Sequence, residues 1–282
     1  MQIQTVGVIG AGLMGSGIAQ VCAVAGVRVV LRDLSQEALQ RALAAIDSSL
    51  TRIVAKGGLS AAEHKTALGL ISTSTAVADL AQADFIIEAA SEDLALKLRI
   101  LKEIDGVVKP DAVIASNTSS VSITKLAAAL ADPQRLIGMH FFNPVPLMPL
   151  VEIIRGIQTS AETAAVADAL ARRIGKTPIA VKNAPGFVVN RILVPMMNEA
   201  VFVLQEGLAT REEIDAGMKL GANHPIGPLA LADLVGLDTF LSVLNVFYRD
   251  FNDPKYRPAP LLQEMVDAGY LGRKSGKGFY EY

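Results

Sequence analysis

The sequence predicts an α/β protein with a Rossmann-type, doubly wound sheet followed by an all-helical C-terminal domain. Three observations predict this fold. A glycine-rich turn joins a short apolar run to a helical pattern near the N-terminus, strand-like apolar runs then alternate with helical patterns to about residue 182, and only helical patterns follow. Parallel strands need long crossover connections, which the intervening helices provide. We place the domain boundary between residues 185 and 186.

The N-terminal segment has the pattern of one βαβ unit. A short apolar run at 6–9 is followed by glycines and by apolar residues at helical spacing as far as Cys22. A second strand is predicted over 27–31, before Asp33. Residues 36–68 then show helical periodicity with a break at Gly57-Gly58, which predicts a helical hairpin inserted in the first domain.

The remaining elements follow the same reasoning. Strands are predicted over 71–73, 85–89, 112–115, 136–141, 151–154 and 178–181, and helices between them over 76–81, 92–107 and 123–130. After residue 186 the predicted helices are 187–206, 211–219, 229–248 and 261–268. The result is a domain of residues 1–185 that contains the sheet and a helical domain of residues 186–282.

The composition excludes several classes of protein. Lys and Arg total 26 against 28 Asp and Glu, so the formal charge is −2 and no basic excess is available to neutralise a nucleic-acid backbone. No uncharged run reaches the roughly 18–20 residues that span a bilayer, and the first five residues lack the basic start of a signal peptide. We therefore expect a cytoplasmic globular protein that binds neither nucleic acid nor membrane.

Few residues are available for metal binding or disulfides. Cys22 is the single cysteine, which excludes an intrachain disulfide and a zinc site built from several cysteines. The three histidines, His64, His140 and His224, are far apart in sequence. We expect no metal site.

The glycine turn predicts a dinucleotide site. The segment Gly10-Ala11-Gly12-Leu13-Met14-Gly15 matches GxGxxG between a strand and a helix, where the glycines allow a tight turn, approach of a pyrophosphate and close helix packing. Asp33 follows Gly12 by 21 residues at the end of the next strand, where a carboxylate accepts from a ribose diol and repels a 2′-phosphate. The pattern favours NAD over NADP. The neighbouring Arg32 leaves an alternative open, since an arginine there either receives a 2′-phosphate or is a solvated rim residue.

A histidine and a glutamate form the candidate catalytic pair. His140 closes an apolar strand, at the sheet edge where ligands of open α/β sheets bind. Glu152 lies 12 residues later inside an apolar stretch, where a lone carboxylate is costly to bury. Pairing resolves that cost, and the carboxylate would orient the imidazole and favour its protonated form. Such a histidine suits a general base that takes a hydroxyl proton as hydride leaves the same carbon.

Other polar residues have two interpretations each. Asn117 and Ser119 follow a predicted strand, where they would hold a substrate oxygen or the nicotinamide ribose, or else cap a helix. Asn190 lies within the apolar segment FVVNRIL, where it makes either a packing hydrogen bond or a substrate contact.

These motifs together resemble the L-3-hydroxyacyl-CoA dehydrogenase family, in particular the short bacterial 3-hydroxybutyryl-CoA dehydrogenases. The resemblance covers essentially the whole chain. It rests on these segments: VGVIGAGLMGSGIAQ (6–20), EAASE (88–92), SNTSS (116–120), GMHFFNPVPLMPLVEII (138–154), KNAPGFVVNRIL (182–193), HPIGPLALADLVGLD (224–238) and GRKSGKGFYEY (272–282).

The resemblance implies roles for individual residues. His140 would be the general base, Glu152 its orienting partner, and Ser119 and Asn190 the contacts to the reacting substrate oxygens. It implies an NAD site formed by the following residues: Gly10 to Gly15 of the turn, Asp33, Glu92, Lys97, Asn117, Ser119, Asn143 and Lys277. Spacing alone would make Glu92 and Lys97 an exposed helical pair.

The resemblance also places the helical hairpin against coenzyme A. Ser49 and Lys56 match the family's contacts, although Arg52 or Lys65 is an alternative for the cation. It further implies a homodimer formed through the C-terminal helical domain. The apolar helices of that domain fit either a dimer interface or an internal core.

The reaction implied is the reversible, NAD-dependent oxidation of an (S)-3-hydroxyacyl-CoA, such as 3-hydroxybutyryl-CoA, to the 3-ketoacyl-CoA in fatty acid metabolism. Three alternatives stay open: a relative that acts on a free 3-hydroxy acid, a redox-sensing or structural NAD-binding protein, and a lysine-based 3-hydroxyacid dehydrogenase. The last class carries a lysine where this sequence has Asn190.

Overall fold

A computed structural model describes residues 3–282 of the chain. The chain divides into two compact units, one ending at Ala184 and the other formed by Pro185–Tyr282. The first unit contains all eight strands of the described residues, and the second contains helices and a short C-terminal turn structure. The predicted class, a Rossmann-type sheet followed by a helical domain, is confirmed.

The first unit has these strands: β1 (Thr5–Ile9), β2 (Arg28–Arg32), β3 (Ile71–Ser74), β4 (Phe85–Glu88), β5 (Val113–Ser116), β6 (Leu136–Phe141), β7 (Leu150–Arg155) and β8 (Thr177–Lys182). Its helices are α1 (Leu13–Val24), α2 (Gln36–Ala55), α3 (Ala61–Gly69), α4 (Leu94–Asp105), α5 (Ile123–Ala127) and α6 (Ala161–Arg173). The predicted helix over 76–81 is a single 3₁₀ turn, Val77–Leu80.

The strand order explains where a ligand can bind. The order is β3-β2-β1-β4-β5-β6-β7-β8, so the chain runs outward from β1 in one direction and then returns to β4 on its other side. Strands β1 to β6 are parallel to one another. The crevice at the carboxyl ends of β1 and β4 is the switch point at which ligands of such sheets bind.

The last part of the sheet differs from the parallel arrangement that we predict. Strand β7 is antiparallel to β6, and β8 is parallel to β7. The connection from β6 to β7 spans only residues 142–149, which is too short for a helical crossover. As a consequence, Glu152 lies directly opposite His140 in the strand register.

The predicted hairpin over 36–68 forms helices α2 and α3. Helix α2 buries Leu39, Ala42, Ile46 and Leu50, whose spacing of three or four residues places them on one face. This face packs into a core that includes apolar residues of α1 and β2. Residues of α2 beside this face, among them Ala45, are available to form the wall of a binding site.

The second unit contains α7 (Val189–Gln205), α8 (Arg211–Gly221), α9 (Pro228–Val235), α10 (Leu237–Phe251) and α11 (Pro260–Asp267). The prediction of one helix over 229–248 is wrong. Gly236 ends α9 and begins α10 with a φ of 98°, a conformation that favours glycine, and the two helices are bent by 98°. Apolar residues of α7, α9 and α10 form the core of this unit.

The C-terminal segment is held by one buried carboxylate. Asp233 of α9 accepts hydrogen bonds from the backbone N–H groups of Phe279 and Tyr280, both at 2.9 Å, and from the Tyr282 hydroxyl at 3.1 Å. Short β-bridges join Lys277 to Gly272 and to Glu281. The segment that contains Lys277 is therefore fixed against α9.

Within residues 3–282 no single helix is both long and apolar enough to cross a membrane. The bent pair α9 and α10 passes that test only when the two helices are taken together.

Candidate active site

The glycine turn has the features that a dinucleotide pyrophosphate requires. Gly10 has a φ of 100°, and a Cβ at Gly15 would lie 1.7 Å from the Gly10 carbonyl oxygen. A Cβ at Gly12 would meet no protein atom within 4 Å, so the space in front of this residue is open. The first N–H groups of an α-helix such as α1 have no partners within the helix, and such groups favour an anion. The turn therefore fits the predicted group.

The turn lines a cleft of about 780 Å³ at the switch point of the sheet. Arg32 at the end of β2 and the following Asp33 and Leu34 form one part of the cleft, and Ala89, Ala90 and Ser91 after β4 form another. Residues of α2 and α4 complete it. Five of the six residues of the predicted turn line the cleft, and Gly15 does not.

Asp33 is fixed by the backbone on both of its oxygens. Oδ2 accepts a hydrogen bond from the Ala11 N–H at 2.7 Å, and Oδ1 accepts from the Ser35 N–H at 3.0 Å. The carboxylate is thus held beside the glycine turn, where it can accept from ribose hydroxyls. This position is the one that NAD selectivity requires.

The structure contradicts the interpretation of Arg32 as a solvated residue at the rim of the site. Its side chain is only 8% exposed, and it forms a long ion pair with Glu103 of α4, with 4.0 Å between Nη2 and Oε1. The side chain lies among residues of the cleft wall rather than in bulk solvent.

Glu92 and Lys97 are not an exposed helical pair. Lys97 is 1% exposed, and Glu92 precedes the first residue of α4. The Lys97 ammonium donates to Glu88 Oε1 at 2.8 Å and to the Ala90 carbonyl at 3.3 Å, and it lies 3.3 Å from Glu92 Oε2. A buried lysine with these partners orients the two carboxylates, and its contact with the cofactor stays a prediction.

Glu92 connects the segment after β4 to the segment after β5. Its Oε1 accepts from the Thr118 hydroxyl at 2.5 Å and from the N–H groups of Ser119 at 2.8 Å and Ser120 at 2.9 Å. Burial acts to raise the pKa of Glu92, but Lys97 and these hydrogen bonds outweigh it and lower the pKa. Glu92 is therefore a stable carboxylate that holds Ser119 in place.

The structure brings His140 and Glu152 together. The distance between His140 Nδ1 and Glu152 Oε2 is 2.7 Å, and both side chains are buried. The ring of Phe142 lies 4.5 Å from the imidazole and tilts against it. Because a neutral imidazole has one donor nitrogen, a carboxylate at Nδ1 places the proton there and makes Nε2 the acceptor.

Asn117 connects the ends of two strands. Its side-chain Oδ1 accepts from the Phe141 N–H at 2.9 Å, and its own N–H donates to the Glu88 carbonyl at 2.7 Å. The interpretation of Asn117 as a helix cap is wrong, because Ser122 caps α5. Asn117 instead fixes the strand end that carries His140.

A second cavity of about 370 Å³ lies beside the cleft. Ser49, Arg52 and Lys56 of the hairpin line one wall, and the loop from Asn143 to Leu147 lines the other. Lys65, the alternative cation, is absent from this wall. Leu13, Ser16 and Ala45 line both the cleft and the cavity. Asn143, which we assign to the cofactor, lies beside the predicted coenzyme A residues.

A buried lysine supports the loop on the second wall. The Lys176 ammonium donates to the carbonyl oxygens of Val145 at 2.5 Å and Met148 at 2.9 Å. Burial lowers its pKa, and the residue is 8% exposed. The sequence analysis missed Lys176 because a lysine ahead of a strand is ordinarily solvated.

Glu88 and Ser116 were also missed. Glu88 is fully buried and accepts from the Ser116 hydroxyl at 2.6 Å and from the Ala90 N–H at 2.7 Å. A signal was available, since Glu88 ends the apolar run of β4 just as Glu152 interrupts that of β7. The same cost of burying a lone carboxylate would have identified it.

Two predicted site residues belong to the second unit. Asn190 is half-buried in the first turn of α7, which begins at Val189. The Lys277 ammonium lies 3.4 Å from Glu281 Oε1 and 4.5 Å from the Tyr270 ring centre. Their roles stay predictions. Within residues 3–282, no group of three or more ligating side chains is arranged to hold a metal ion.

Comparison with known proteins decides the family. The family model for the NAD binding domain of 3-hydroxyacyl-CoA dehydrogenase matches residues 5–184, and the model for the C-terminal domain of that family matches residues 186–282. The chain belongs to the 3-hydroxyacyl-CoA dehydrogenase family. The predicted family, enzyme class and NAD cofactor are thereby confirmed.

The similarity to individual relatives covers almost the whole of each chain. The 3-hydroxybutyryl-CoA dehydrogenase of Bradyrhizobium diazoefficiens is 50% identical, with 99% of this chain and 96% of the relative covered. The protein of the same name from Clostridioides difficile is 50% identical, with 98% of each chain covered. The crystal structure of (S)-3-hydroxybutyryl-CoA dehydrogenase from Ralstonia eutropha has 60% identity and a TM-score of 0.98, covering 100% of this chain and 99% of that one.

Proposed function

We propose that this NAD-dependent dehydrogenase interconverts (S)-3-hydroxybutyryl-CoA and acetoacetyl-CoA. In the oxidative direction the substrate loses a hydride from carbon 3 and a proton from the hydroxyl on that carbon. The products are the 3-ketoacyl thioester, NADH and one proton. Relatives of this name, similar along their whole length, support the four-carbon substrate.

The observation that carries the mechanism is the buried pair of His140 and Glu152, 2.7 Å apart. With Nδ1 held by Glu152, His140 takes the substrate's hydroxyl proton at Nε2 and becomes an imidazolium. The adjacent carboxylate stabilises that positive charge in a site where water is largely excluded. In the reductive direction the same nitrogen returns the proton to the carbonyl oxygen.

The cofactor site consists of the glycine turn and Asp33. NAD supplies the hydride acceptor when it is bound. The N–H groups at the start of α1 would hold its pyrophosphate, and Asp33 would accept from its ribose hydroxyls. Glu92 positions Ser119 through the hydrogen bond from the Ser119 N–H.

Four side chains carry the proposed substrate contacts. Ser119 and Asn190 would bind the reacting oxygens of the acyl group. Ser49 and Lys56 would bind coenzyme A, with the Lys56 cation on a phosphate. The cavity between the hairpin and the 143–147 loop supports this assignment, since the loop follows directly after the strand that carries His140.

We also propose a cytoplasmic homodimer formed through the second unit. Large apolar side chains are exposed on this unit, among them Ile192 at 67% and Leu220 at 87%. Burial of such side chains in an interface is favourable. Light scattering on the purified protein measures the mass of the particle, and a mass of one chain would contradict the dimer.

The test of the reaction is the loss of NADH absorbance with acetoacetyl-CoA. Free acetoacetate and NADPH serve as the matched alternatives for substrate and cofactor. We expect rapid loss only with the thioester and NADH together. Activity with the free acid but none with the thioester would instead support a dehydrogenase of free 3-hydroxy acids.

A further inference from the structure

Helix α1 contains a buried amide side chain that makes no hydrogen bond within the protein. Gln20 is only 3% exposed, and among residues 3–282 no side chain or backbone group pairs with its amide. Ser16, one turn earlier, is also buried, but its hydroxyl donates to the Leu13 carbonyl at 3.1 Å. Because burial of an unpaired amide is unfavourable, Gln20 points to a partner outside the protein.

Gln20 lines the cavity of about 370 Å³ beside the hairpin. Leu13, Gly17 and Gln20 are spaced by three or four residues, so they share one face of α1, and all three line this cavity. The loop on the other wall comes close to that face, since a Cβ at Gly17 would lie 2.8 Å from Val145 Cβ. Both amide atoms of Gln20 remain accessible, so a molecule in the cavity can reach them.

The protein surface around Gln20 does not offer a substitute partner. On the loop wall, the carbonyl oxygens of Val145 and Met148 already accept from the Lys176 ammonium. Much of the remaining lining is apolar and consists of Ala45, Ile46, Ile53, Pro144, Pro146 and Leu147. A glutamine amide both donates and accepts hydrogen bonds, so its best partner in such surroundings is an uncharged group that does the same, such as another amide.

The charged residues of the cavity indicate which molecule carries that amide. Arg52 and Lys56 are exposed and lie at the end of α2, where they suit phosphate groups. Asn143, on the loop wall, follows the proposed general base His140 by three residues. A ligand that reaches from the cations toward His140 therefore needs an anionic end and an uncharged section that fits beside Gln20.

We propose that Gln20 binds an amide of the pantetheine arm of coenzyme A, an inference that rests on the proposed function. In a coenzyme A thioester this arm joins the phosphates to the reacting acyl group, and it is a mostly apolar chain that carries secondary amides. Gln20 Nε2 donates to an amide carbonyl of the arm, or Oε1 accepts from an amide N–H. Either bond satisfies a side chain that α1 leaves unpaired.

Adenine and phosphate are poorer partners for Gln20. A glutamine amide also pairs with the edge of adenine, but the adenine of coenzyme A lies beyond the phosphates, on the side away from the thioester. The described lining of the cavity includes no aromatic side chain on which a base could stack. A phosphate is better served by the exposed cations Arg52 and Lys56 than by a neutral, buried amide.

The experiment compares acetoacetyl thioesters that differ in the arm. The substrates are acetoacetyl-CoA, acetoacetyl-pantetheine and the S-pentyl thioester of acetoacetate, which has no amide. Steady-state NADH oxidation gives kcat and KM for the wild type and for Gln20→Met. We expect KM to rise about tenfold for the first two substrates and to stay unchanged for the third, because the lost hydrogen bond involves only the arm. An unchanged kcat is expected, since the contact is made equally in the ground and transition states.

Controls separate this contact from a structural role. Gln40→Met removes an exposed glutamine of α2 that lines neither the cavity nor the cleft, and it should change no KM. Gln20→Met should not lower the melting temperature of the ligand-free protein, because no group of the described chain bonds to this amide. The Kd of NADH should stay the same, since Gln20 does not line the cleft. If the methionine variant does not fold, Gln20→Asn replaces it, with a smaller rise in KM expected for the substrates that carry the arm.

Each outcome bears on a different statement. A rise in KM for all three thioesters together with a lower melting temperature would show that Gln20 supports the fold, and the proposal would be wrong. A rise for acetoacetyl-CoA but not for acetoacetyl-pantetheine would place Gln20 at the nucleotide end instead. No change for any substrate would mean that only water binds this amide. If the wild type reduces none of the thioesters, the proposed function itself is wrong.

Discussion

His140 and Glu152 are register partners in the single antiparallel strand pair of the described sheet, so the backbone ladder itself sets their separation. Side chains that lie opposite each other in such a pair point to the same face. The 2.7 Å contact between Nδ1 and Oε2 therefore needs no flexible loop to form it. The imidazole is already oriented before any substrate binds.

Replacement of His140 tests the general base. We expect His140→Gln to lower kcat by about a thousandfold, within the range known for loss of a general base, because glutamine cannot take the hydroxyl proton. Glu152→Gln should lower kcat less, since the imidazole remains. The measurement is steady-state turnover, with NADH binding as the control. A loss below about tenfold for His140→Gln would exclude the proposed role.

Substitutions of Lys56 and Lys65 test whether coenzyme A binds at the cavity wall or elsewhere on the hairpin. Lys56→Ala should raise KM for acetoacetyl-CoA about tenfold, because it removes a cation from the cavity wall, and should leave KM for a truncated thioester without the nucleotide unchanged. Lys65→Ala is the matched control on α3 and should change neither value. Equal effects of Lys56→Ala on both thioesters would place the coenzyme A contact elsewhere.

Lys176 is a positioning residue for the loop that contains Asn143. Lys176→Met leaves the carbonyl oxygens of Val145 and Met148 without their donor, so we expect a free energy of unfolding lower by about 2 kcal/mol. We also expect a several-fold higher KM for the thioester with an unchanged Kd for NADH. Lys176→Gln retains a hydrogen-bond donor, so its free energy of unfolding and its KM should lie between those of the wild type and of Lys176→Met. If KM and the NADH Kd rise together, the lysine acts only on general stability.

The lowered pKa of Glu92 predicts how the stability of the folded protein depends on pH. Its pKa is lowered in the folded protein, so its contribution is complete above the ordinary value of 4.5 and is lost as the pH falls through the lower folded value. Glu92→Gln should therefore lower the melting temperature by a few degrees at pH 7, and the difference from wild type should shrink toward pH 3. Thermal unfolding at several pH values measures this. A difference that is constant with pH would show that the charge of Glu92 does not contribute.

The sequence was sufficient for the features that depend on local pattern. The glycine turn, its strand and helix, and Asp33 occur in one short segment, so spacing alone predicts their geometry. The pairing of His140 with Glu152 was predicted from the cost of burying a carboxylate, although the antiparallel register that produces it was not. The register of two strands depends on the length of the loop between them and on packing, and the hydrophobic periodicity of the sequence gives neither.

Other features depend on contacts between distant residues. Lys97 has the sequence context of a surface lysine, but in the structure Glu88 at the end of β4 lies beside it, and Ser116 of β5 donates to the same glutamate. Lys176 also has the sequence context of a surface lysine, but in the structure the loop after β6 covers it. The break between α9 and α10 was missed because Gly236 is a single glycine within an otherwise continuous apolar helical pattern. A single glycine is tolerated in many helices.

Helix α2 forms part of two walls at once. Its residues Ala38, Arg41 and Ala42 line the cleft, and Ala45 lines both the cleft and the cavity. Ser49 and Arg52 near its other end line the cavity, together with Lys56 directly after the helix. The two proposed ligand sites therefore share one wall element, and a larger side chain in place of Ala45 would narrow both.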